Sequence, residues 1–200
     1  HRIQASELQD KGVLANCHVN VLQTQDHPQF KTYAEELKWL TTDKVRMKWV
    51  ANTIKDISTS GNTLILVDRI SAGQILQEQL EDSVFVSGST KNVDRKEQYD
   101  EVSTATNKII IATYGVASVG INIPRIFNLV LIEPGKSFVR VIQSIGRGIR
   151  KAEDKENVQI WDITSSCKFA KRHLGARKKF YKEANYPYNI EKVNYENPYT

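Results

Sequence analysis

The sequence predicts an α/β fold with a mostly parallel β-sheet that helices cover on both faces. From about residue 63 onward, short apolar runs rich in β-branched residues alternate with helix-like stretches, which is typical of successive β-α-β units. Two runs, LILV at 64–67 and LVLI at 129–132, have no polar face, as expected for strands between two helical layers. The predicted strands are 63–67, 84–86, 108–112, 127–132 and 157–163.

Helical spacing of apolar residues predicts helices between these strands. The first is predicted to begin at a capping box, with Ser71 as the N-cap and Gln74 three residues later. The other predicted helices are 93–102, 137–150 and 166–184.

The two ends of the chain are predicted to differ from this central pattern. Residues 14–23 predict a strand and 33–57 predict one or two helices, whereas the tail from Tyr186 to Thr200 is predicted to be irregular. We therefore divide the chain into a lead-in, a central α/β domain, and a basic helix with its tail, at 1–60, 61–164 and 165–200.

Length and composition indicate a globular domain with its own core. The chain has 200 residues, of which 40% are hydrophobic. No apolar stretch approaches the roughly 20 residues of a membrane-spanning helix, so no membrane partner is expected. Cys17 and Cys167 lie far apart and indicate neither a disulfide framework nor a metal site, which favours a cytoplasmic location. A start at His1 without a signal peptide predicts a piece of a longer protein.

The positive charge is concentrated at the C-terminal end. Between residues 165 and 200, eight Lys or Arg side chains outnumber three acidic ones, and this excess equals the net charge of +5 of the whole chain. Such a helix either contacts nucleic-acid phosphates, or braces the domain, or is an ordinary solvated surface helix. The tyrosines of the tail either stack on bases or pack the tail onto the sheet.

The segment FVRVIQSIGRGIR at 138–150 separates into two stripes at helical spacing. The apolar stripe consists of Phe138, Ile142, Ile145 and Ile149. The polar stripe consists of Arg140, Gln143, Arg147 and Arg150. Neighbouring guanidinium groups provide donors that suit phosphate oxygens, and Gly146 and Gly148 are consistent with a close backbone approach. The alternative interpretation is a solvated basic helix face that ends at a glycine.

The segment IIIATYGVASVGINIP at 109–124 predicts a strand that runs into a loop. Ligands bind at the carboxyl ends of the strands in parallel α/β sheets. The candidate ligand contacts are therefore Thr113, Ser118, Gly120 and Asn122. A plain connection between two strands is the alternative.

Taken together, residues 61–162 resemble the C-terminal half of superfamily 2 helicases. Residues 109–124 are similar to motif V of these proteins, and residues 63–80 are similar to motif IV at the expected distance upstream. Motif VI has the form Q-x-x-G-R-x-x-R, which is matched by Gln143, Gly146, Arg147 and Arg150. Three motifs in the right order are far more specific than any one of them.

This resemblance implies a RecA-like three-layer domain that is the second of two in a motor. ATP would lie between the domains, with the phosphate loop and the Mg²⁺-binding acids in the first and arginine fingers in the second. Arg147 and Arg150 would reach the γ-phosphate beside Gln143, whereas Gly120 and Asn122 would border the nucleotide. The residues that would face a nucleic-acid backbone are Thr113, Arg69, Ser87, Gly88 and Ser89.

The same resemblance implies the partners. Within the superfamily the chain is similar to recombination and repair helicases of bacteriophages, which implies a location in the cytoplasm of a bacterial host. The implied substrates are branched or single-stranded DNA and RNA–DNA hybrids. The implied reactions are fork regression, branch migration and unwinding of D-loops and R-loops in recombination, repair and replication.

The sequence contains neither a complete phosphate loop nor an acidic DEAD- or DEAH-like quartet. Gly135-Lys136-Ser137 follows a predicted strand, but Val130 stands where G-x-x-x-x-G-K-[ST] requires its first glycine. We therefore expect ATP and Mg²⁺ to bind mainly to a first RecA-like domain, and this chain alone to be inactive. The alternative is a RecA-like module without a motor cycle that binds nucleic acid or protein.

Overall fold

All strands in the described part of the chain run parallel and form one seven-stranded sheet. The computed structural model describes residues 17–86, 107–118, 126–136, 138, 141–142 and 158–195. The strands are β1 (Cys17–Thr24), β2 (Thr63–Val67), β3 (Val84–Val86), β4 (Ile109–Thr113), β5 (Asn128–Ile132), β6 (Val158–Ser165) and β7 (Tyr188–Val193). The helices are α1 (Tyr33–Thr42), α2 (Lys44–Ser58), α3 (Ile70–Gln79), α4 (Tyr114–Ser118) and α5 (Lys168–Glu183).

Helices cover both faces of this sheet, whose strand order is β3-β4-β2-β5-β6-β1-β7. On one face, α2 and α3 pack through side chains such as Val50 and Leu76. On the other face, α4, α5 and a helical segment that includes Phe138 and Ile142 pack against the strands. Every residue of β2 is buried because it lies between these two layers. The three-layer α/β arrangement confirms the predicted fold class.

Most of the predicted central elements are confirmed. β2 and β3 have the predicted bounds, β4 is shifted by one residue, and β6 extends to Ser165. The predicted basic helix corresponds to α5, and the predicted helical region at 33–57 corresponds to α1 and α2. The helix predicted at 93–102 lies outside the described residues, as does most of the one predicted at 137–150.

The ends of the chain also contribute to the sheet. β1 lies between β6 and β7 and is parallel to both. The prediction of an irregular tail was wrong for Tyr188–Val193, because β7 is an edge strand whose side chains are mostly exposed. Such a strand forms through backbone pairing with β1 and needs no apolar alternation. Tyr186, just before β7, is buried. This side chain therefore packs against the domain, as predicted by the interpretation in which the tyrosines pack the tail onto the sheet.

The predicted capping box at Ser71 was wrong. α3 begins at Ile70, and its N-cap residue is Arg69, which makes no side-chain capping bond. A side chain caps a helix only where its own backbone is still extended, and Ser71 already lies inside the helix. The N-caps of α1 and α2 are regular: the side chains of Thr32 and Asp43 accept from backbone N–H groups of these helices.

Replacement of Gly61 by alanine is expected to destabilise the fold. Gly61 has φ +151° between α2 and β2, and a Cβ there would lie 2.9 Å from Cβ of Phe127. Such backbone strain costs about 1–3 kcal/mol. Gly175→Ala is the matched control, because Gly175 lies within α5 with nothing inside 4 Å of its added Cβ. Urea unfolding should show a loss for Gly61→Ala and a gain of up to about 1 kcal/mol for Gly175→Ala; equal effects would contradict this account.

Candidate functional site

The carboxyl ends of β2 and β5 border a crevice at the centre of the sheet edge. From β2 the chain adds β3 and β4 on one side of the sheet and then crosses to β5 on the other side. Ligands of open α/β sheets bind at such a reversal of strand order. The crevice has a volume of about 380 Å³ and is lined by Tyr33, Asp68, Tyr114, Glu133, Pro134, Gly135, Lys136 and His173.

Thr113 lies at this edge, as predicted. It ends β4 and is the register partner of Val67, the last residue of β2. Its Oγ1 atom accepts a hydrogen bond from the backbone N–H of Val116 at 3.2 Å, which caps the short helix α4. A hydroxyl that accepts in this way keeps its own hydrogen for donation. Thr113 can therefore cap α4 and donate to a phosphate oxygen at the same time.

Arg69 stands two residues after Val67, on the neighbouring strand end. Its Nε atom lies 2.9 Å from Oδ2 of Asp68, and its side chain is 33% exposed. A guanidinium group has four N–H donors besides the one that Asp68 accepts, and this ion pair is only partly buried. Arg69 is thus able to bind an anion without disturbing the fold. Thr113 and Arg69 are the two predicted site residues that the structure brings to one edge.

Ser118 is described and ends α4, where its hydroxyl donates to the backbone carbonyl of Gly115 at 2.8 Å. The other predicted site residues lie outside the described residues, so their roles stay predictions. They are Ser87, Gly88, Ser89, Gly120, Asn122, Gln143, Arg147 and Arg150. The structure does describe residues at the start of the segment that carries the last three: Phe138 and Ile142 are helical and buried. The predicted apolar stripe of 138–150 is therefore confirmed at these two positions.

A buried ion pair holds the residue that follows β5. The Nη2 atom of Arg46, in α2, donates to Oε1 of Glu133 at 2.8 Å. Oε2 of Glu133 accepts from the Thr164 hydroxyl at 3.2 Å. Burial raises the pKa of Glu133 to about 7, although the charges of Arg46 and Arg177 oppose the shift. Glu133 also has φ +46°, which few non-glycine residues adopt, so several contacts maintain an unusual backbone at the crevice.

A second buried ion pair approaches the same loop from the opposite face of the sheet. Nε and Nη2 of Arg177, in α5, donate to the two carboxylate oxygens of Asp162 at 2.8 and 2.9 Å. The Tyr181 hydroxyl donates to the same carboxylate at 2.7 Å. The third nitrogen of Arg177, Nη1, donates to the backbone carbonyl of Gly135 at 3.2 Å. Burial opposes the charge of Arg177, but Asp162 outweighs this effect and raises the pKa of Arg177.

Both arginines were missed as site residues, although the sequence contains a signal for each. Arg46 is four residues before Val50 on the apolar face of α2, and Arg177 lies between Leu174 and Tyr181 at helical spacing. A charged residue on an apolar face predicts a buried ionic partner. The partner itself is not predictable, because Glu133 and Asp162 come from distant strands.

Not all basic side chains of α5 are exposed, although its high charge favoured an exposed helix. Arg177 is only 1% exposed, so it does not contribute to a surface patch. Lys168 and Arg172 are exposed and lie 5.3 and 5.6 Å from the centroid of the Phe169 ring. Glu36, in α1, accepts from the backbone N–H groups of Phe169 and Ala170 and so caps α5. The exposed cations of α5 remain candidates for contact with phosphates.

The described residues were also compared with the requirements for a membrane-spanning helix and for a metal site. None of their helices has the length and apolarity needed to cross a lipid bilayer. Within the same ranges, no three His, Cys, Asp or Glu side chains cluster as metal ligands.

The three-layer arrangement around a parallel sheet, with a crevice at the strand reversal, defines a RecA-like α/β domain. The chain belongs to the family described as the helicase conserved C-terminal domain, whose model matches residues 45–152. This interval contains every candidate site residue named above from Arg69 to Arg150.

Known proteins resemble the chain over most of its length. The ATP-dependent DNA helicase uvsW of Enterobacteria phage T4 is 28% identical over 189 residues, covering 89% of this chain and 38% of that protein. The crystal structure of T4 UvsW superimposes with a TM-score of 0.75 at 23% identity, over 90% of this chain and 42% of that one. Dbp5 of S. cerevisiae, bound to RNA and ADP BeF3, gives a TM-score of 0.61 at 17% identity over 97% and 44%.

These similarities concern only a part of each relative. The chain spans about two-fifths of the length of these relatives. The two structural matches, both under 25% identity, show the RecA-like fold.

Proposed function

We propose that this chain is the second motor domain of an ATP-dependent DNA helicase or translocase that remodels branched nucleic acids. The observation that carries this proposal is the family match across residues 45–152, which spans the predicted motifs IV, V and VI. The similarity to a phage DNA helicase over 89% of the chain favours DNA as the substrate. The proposed reactions are fork regression, branch migration and unwinding of D-loops and R-loops in recombination, repair and replication.

ATP hydrolysis in this proposal requires a first RecA-like domain of the same protein. That domain would hold the phosphate loop and Mg²⁺, and bound ATP would supply the energy for closing and reopening the cleft. From this chain, Arg147 and Arg150 would stabilise the negative charge that develops on the transferred phosphoryl group, with Gln143 beside them. Gly120 and Asn122 would border the nucleotide.

DNA binding in this proposal uses the edge where β2 and β4 end. Thr113 ends β4 and Arg69 follows β2, the strand paired with β4, so a single DNA backbone could reach both. Hydrogen bonds from hydroxyl and guanidinium groups to phosphates bind DNA without reading its sequence. We assign Ser87, Gly88 and Ser89, which follow β3 on the far side of β4, to the same contact.

Arg69→Ala is expected to weaken binding of single-stranded DNA and to lower its salt dependence. The slope of log affinity against log salt should decrease in magnitude by about 0.7, the value for one phosphate contact on a single strand. Stability should change little, since the ion pair to Asp68 joins neighbouring residues at the surface. The measurement is fluorescence anisotropy of a labelled oligonucleotide across a series of salt concentrations.

Lys55→Ala is the matched control for this experiment. It removes the same charge from the last turn of α2, near the amino ends of the strands and opposite the proposed DNA edge. An equal reduction of the slope in both variants would indicate a general charge effect and would contradict the assignment of Arg69.

The experiment that tests the proposed function is an ATP hydrolysis assay on the full-length protein with and without DNA. A motor should hydrolyse ATP faster when single-stranded or forked DNA is added, and it should unwind the fork only when ATP is present. DNA binding that is indifferent to ATP, without hydrolysis, would instead indicate the module without a motor cycle.

A further inference from the structure

We infer that Arg177 is a positioning residue for the arginine-bearing segment 137–150, and that Arg46 supports it from the opposite face of the sheet. This inference rests on the proposed function, because it assigns to two buried ion pairs the task of placing Arg147 and Arg150 for ATP. Neither Arg46 nor Arg177 would touch the nucleotide. Both hold the loop of residues 133–136, which leads directly into that segment.

The two arginines converge on one short loop. Arg46 comes from α2 on one face of the sheet and binds the Glu133 side chain at 2.8 Å. Arg177 comes from α5 on the other face and binds the Gly135 carbonyl at 3.2 Å. The loop is therefore held at its first and third residues from two directions.

The backbone of this loop has conformations that need support from surrounding contacts. Glu133 has φ +46° and Gly135 has φ +66°. A non-glycine residue in the left-handed region persists only where surrounding contacts determine its conformation. The carboxylate of Glu133 is bonded to both Arg46 and Thr164, which supplies that determination.

Helix α5 also contacts Phe138, near the start of the arginine-bearing segment. The Phe138 ring packs edge-on against the rings of Phe180 and Tyr181, at centroid distances of 5.1 and 5.5 Å. Arg177 lies on the same helix, one turn before these residues. Gly135 of the loop and Phe138 of the segment are thus both held by side chains of α5.

The contacts of Arg177 explain why an arginine stands at this position. Two of its nitrogens already satisfy Asp162, and a buried ion pair is often no more stabilising than an apolar pair of similar size. The bond from Nη1 to the Gly135 carbonyl is the contact that an apolar pair or a lysine does not reproduce. This bond gives Arg177 a task beyond neutralising Asp162.

The test compares Arg177→Lys with Tyr181→Phe in the full-length protein. Both changes remove hydrogen bonds from the Asp162 carboxylate, but only Arg177→Lys removes the bond to the loop. Tyr181→Phe keeps the aromatic ring that packs on Phe138. Arg177→Lys should lower kcat for DNA-stimulated ATP hydrolysis by about 10- to 100-fold, as expected when a catalytic group is displaced by about 1 Å. KM for ATP should stay within about twofold, because binding through the first domain is unchanged.

A second readout does not depend on ATP. Backbone amide exchange in peptides covering 133–142 should be faster in Arg177→Lys than in the wild type, and unchanged in Tyr181→Phe. If Arg177→Lys does not fold, Glu133→Gly provides the alternative variant. It removes the carboxylate held by Arg46 without adding strain at a positive φ, and Arg46 keeps its bonds to Leu40 and Thr164. It should lower kcat in the same way.

The outcomes separate the two proposals. Equal kcat values and equal loop exchange in Arg177→Lys and Tyr181→Phe would overturn the positioning role while leaving the motor function intact. A wild-type protein without ATP hydrolysis would overturn the proposed function, and the exchange experiment would then decide whether Arg177 holds the loop. A Glu133→Gly variant with wild-type kcat and exchange would contradict the contribution of Arg46.

Discussion

Full-length protein carrying Arg147→Ala or Arg150→Ala is expected to lose DNA-stimulated ATP hydrolysis by about 10³- to 10⁵-fold, the effect of removing an arginine finger from related NTPases. Each guanidinium group would stabilise charge on the γ-phosphoryl group in the transition state more than in bound ATP. Binding of single-stranded DNA should remain near the wild-type level, because the proposed backbone contacts, such as Thr113 and Arg69, are other residues. Steady-state phosphate release and oligonucleotide anisotropy measure the two properties.

Arg140→Ala is the matched control for these two variants. Arg140 belongs to the same predicted polar stripe, but it lies outside the Q-x-x-G-R-x-x-R pattern. Its loss should reduce ATP turnover by less than about tenfold, since this replacement removes the same charge without removing a finger. Retained hydrolysis in both Arg147→Ala and Arg150→Ala would contradict the role assigned to them.

The second large effect is expected on stability. Arg177→Met should lower the free energy of unfolding by about 3–5 kcal/mol, because it leaves a buried carboxylate without its charged partner. Asp162 is fully buried, and the Tyr181 hydroxyl is the donor that remains to it. Asp162→Leu should have a similar effect, because it leaves the guanidinium of Arg177 buried. Urea unfolding monitored by circular dichroism measures both losses.

The double variant Asp162→Leu with Arg177→Met provides the control. Removal of both charges eliminates the unpaired ion, so the double variant should be several kcal/mol more stable than the sum of the single losses predicts. The bidentate contact at 2.8 and 2.9 Å predicts that the two side chains depend on each other. Additive losses of stability would contradict this dependence.

The central fold was predictable because its signals are local. Strands β2 and β5 are continuous apolar runs, and helices at regular spacing separate the strands, so the parallel three-layer class follows from the pattern. β7 gave no such signal, since an edge strand forms through the backbone and its residues are mostly exposed. The start of α3 was also misplaced. The sequence around Ser71 matches a capping box, but α3 begins at Ile70, soon after the chain leaves β2, so Ser71 is already helical.

The candidate site was predictable where short motifs carry it. Thr113 and Arg69 follow strand ends, and parallel topology brings such ends to one edge whatever the intervening sequence. The bonds from Arg46 and Arg177 to the loop of residues 133–136 were not predictable. Arg46 lies 87 positions from its partner Glu133, and Arg177 lies 42 positions from its partner Gly135. Their helical spacing indicated burial, but only the strand order determines which acidic residue or carbonyl lies opposite.

The central claim is that this chain is half of an ATP-driven DNA motor. The measurement that tests it most directly is ATP-dependent unwinding of a forked DNA by the full-length protein, with Arg147→Ala in parallel. We predict that the wild type separates the fork in the presence of ATP and that the variant binds the fork without separating it. Fork separation by Arg147→Ala at the wild-type rate, or no ATP-dependent separation by the wild type, would contradict the account.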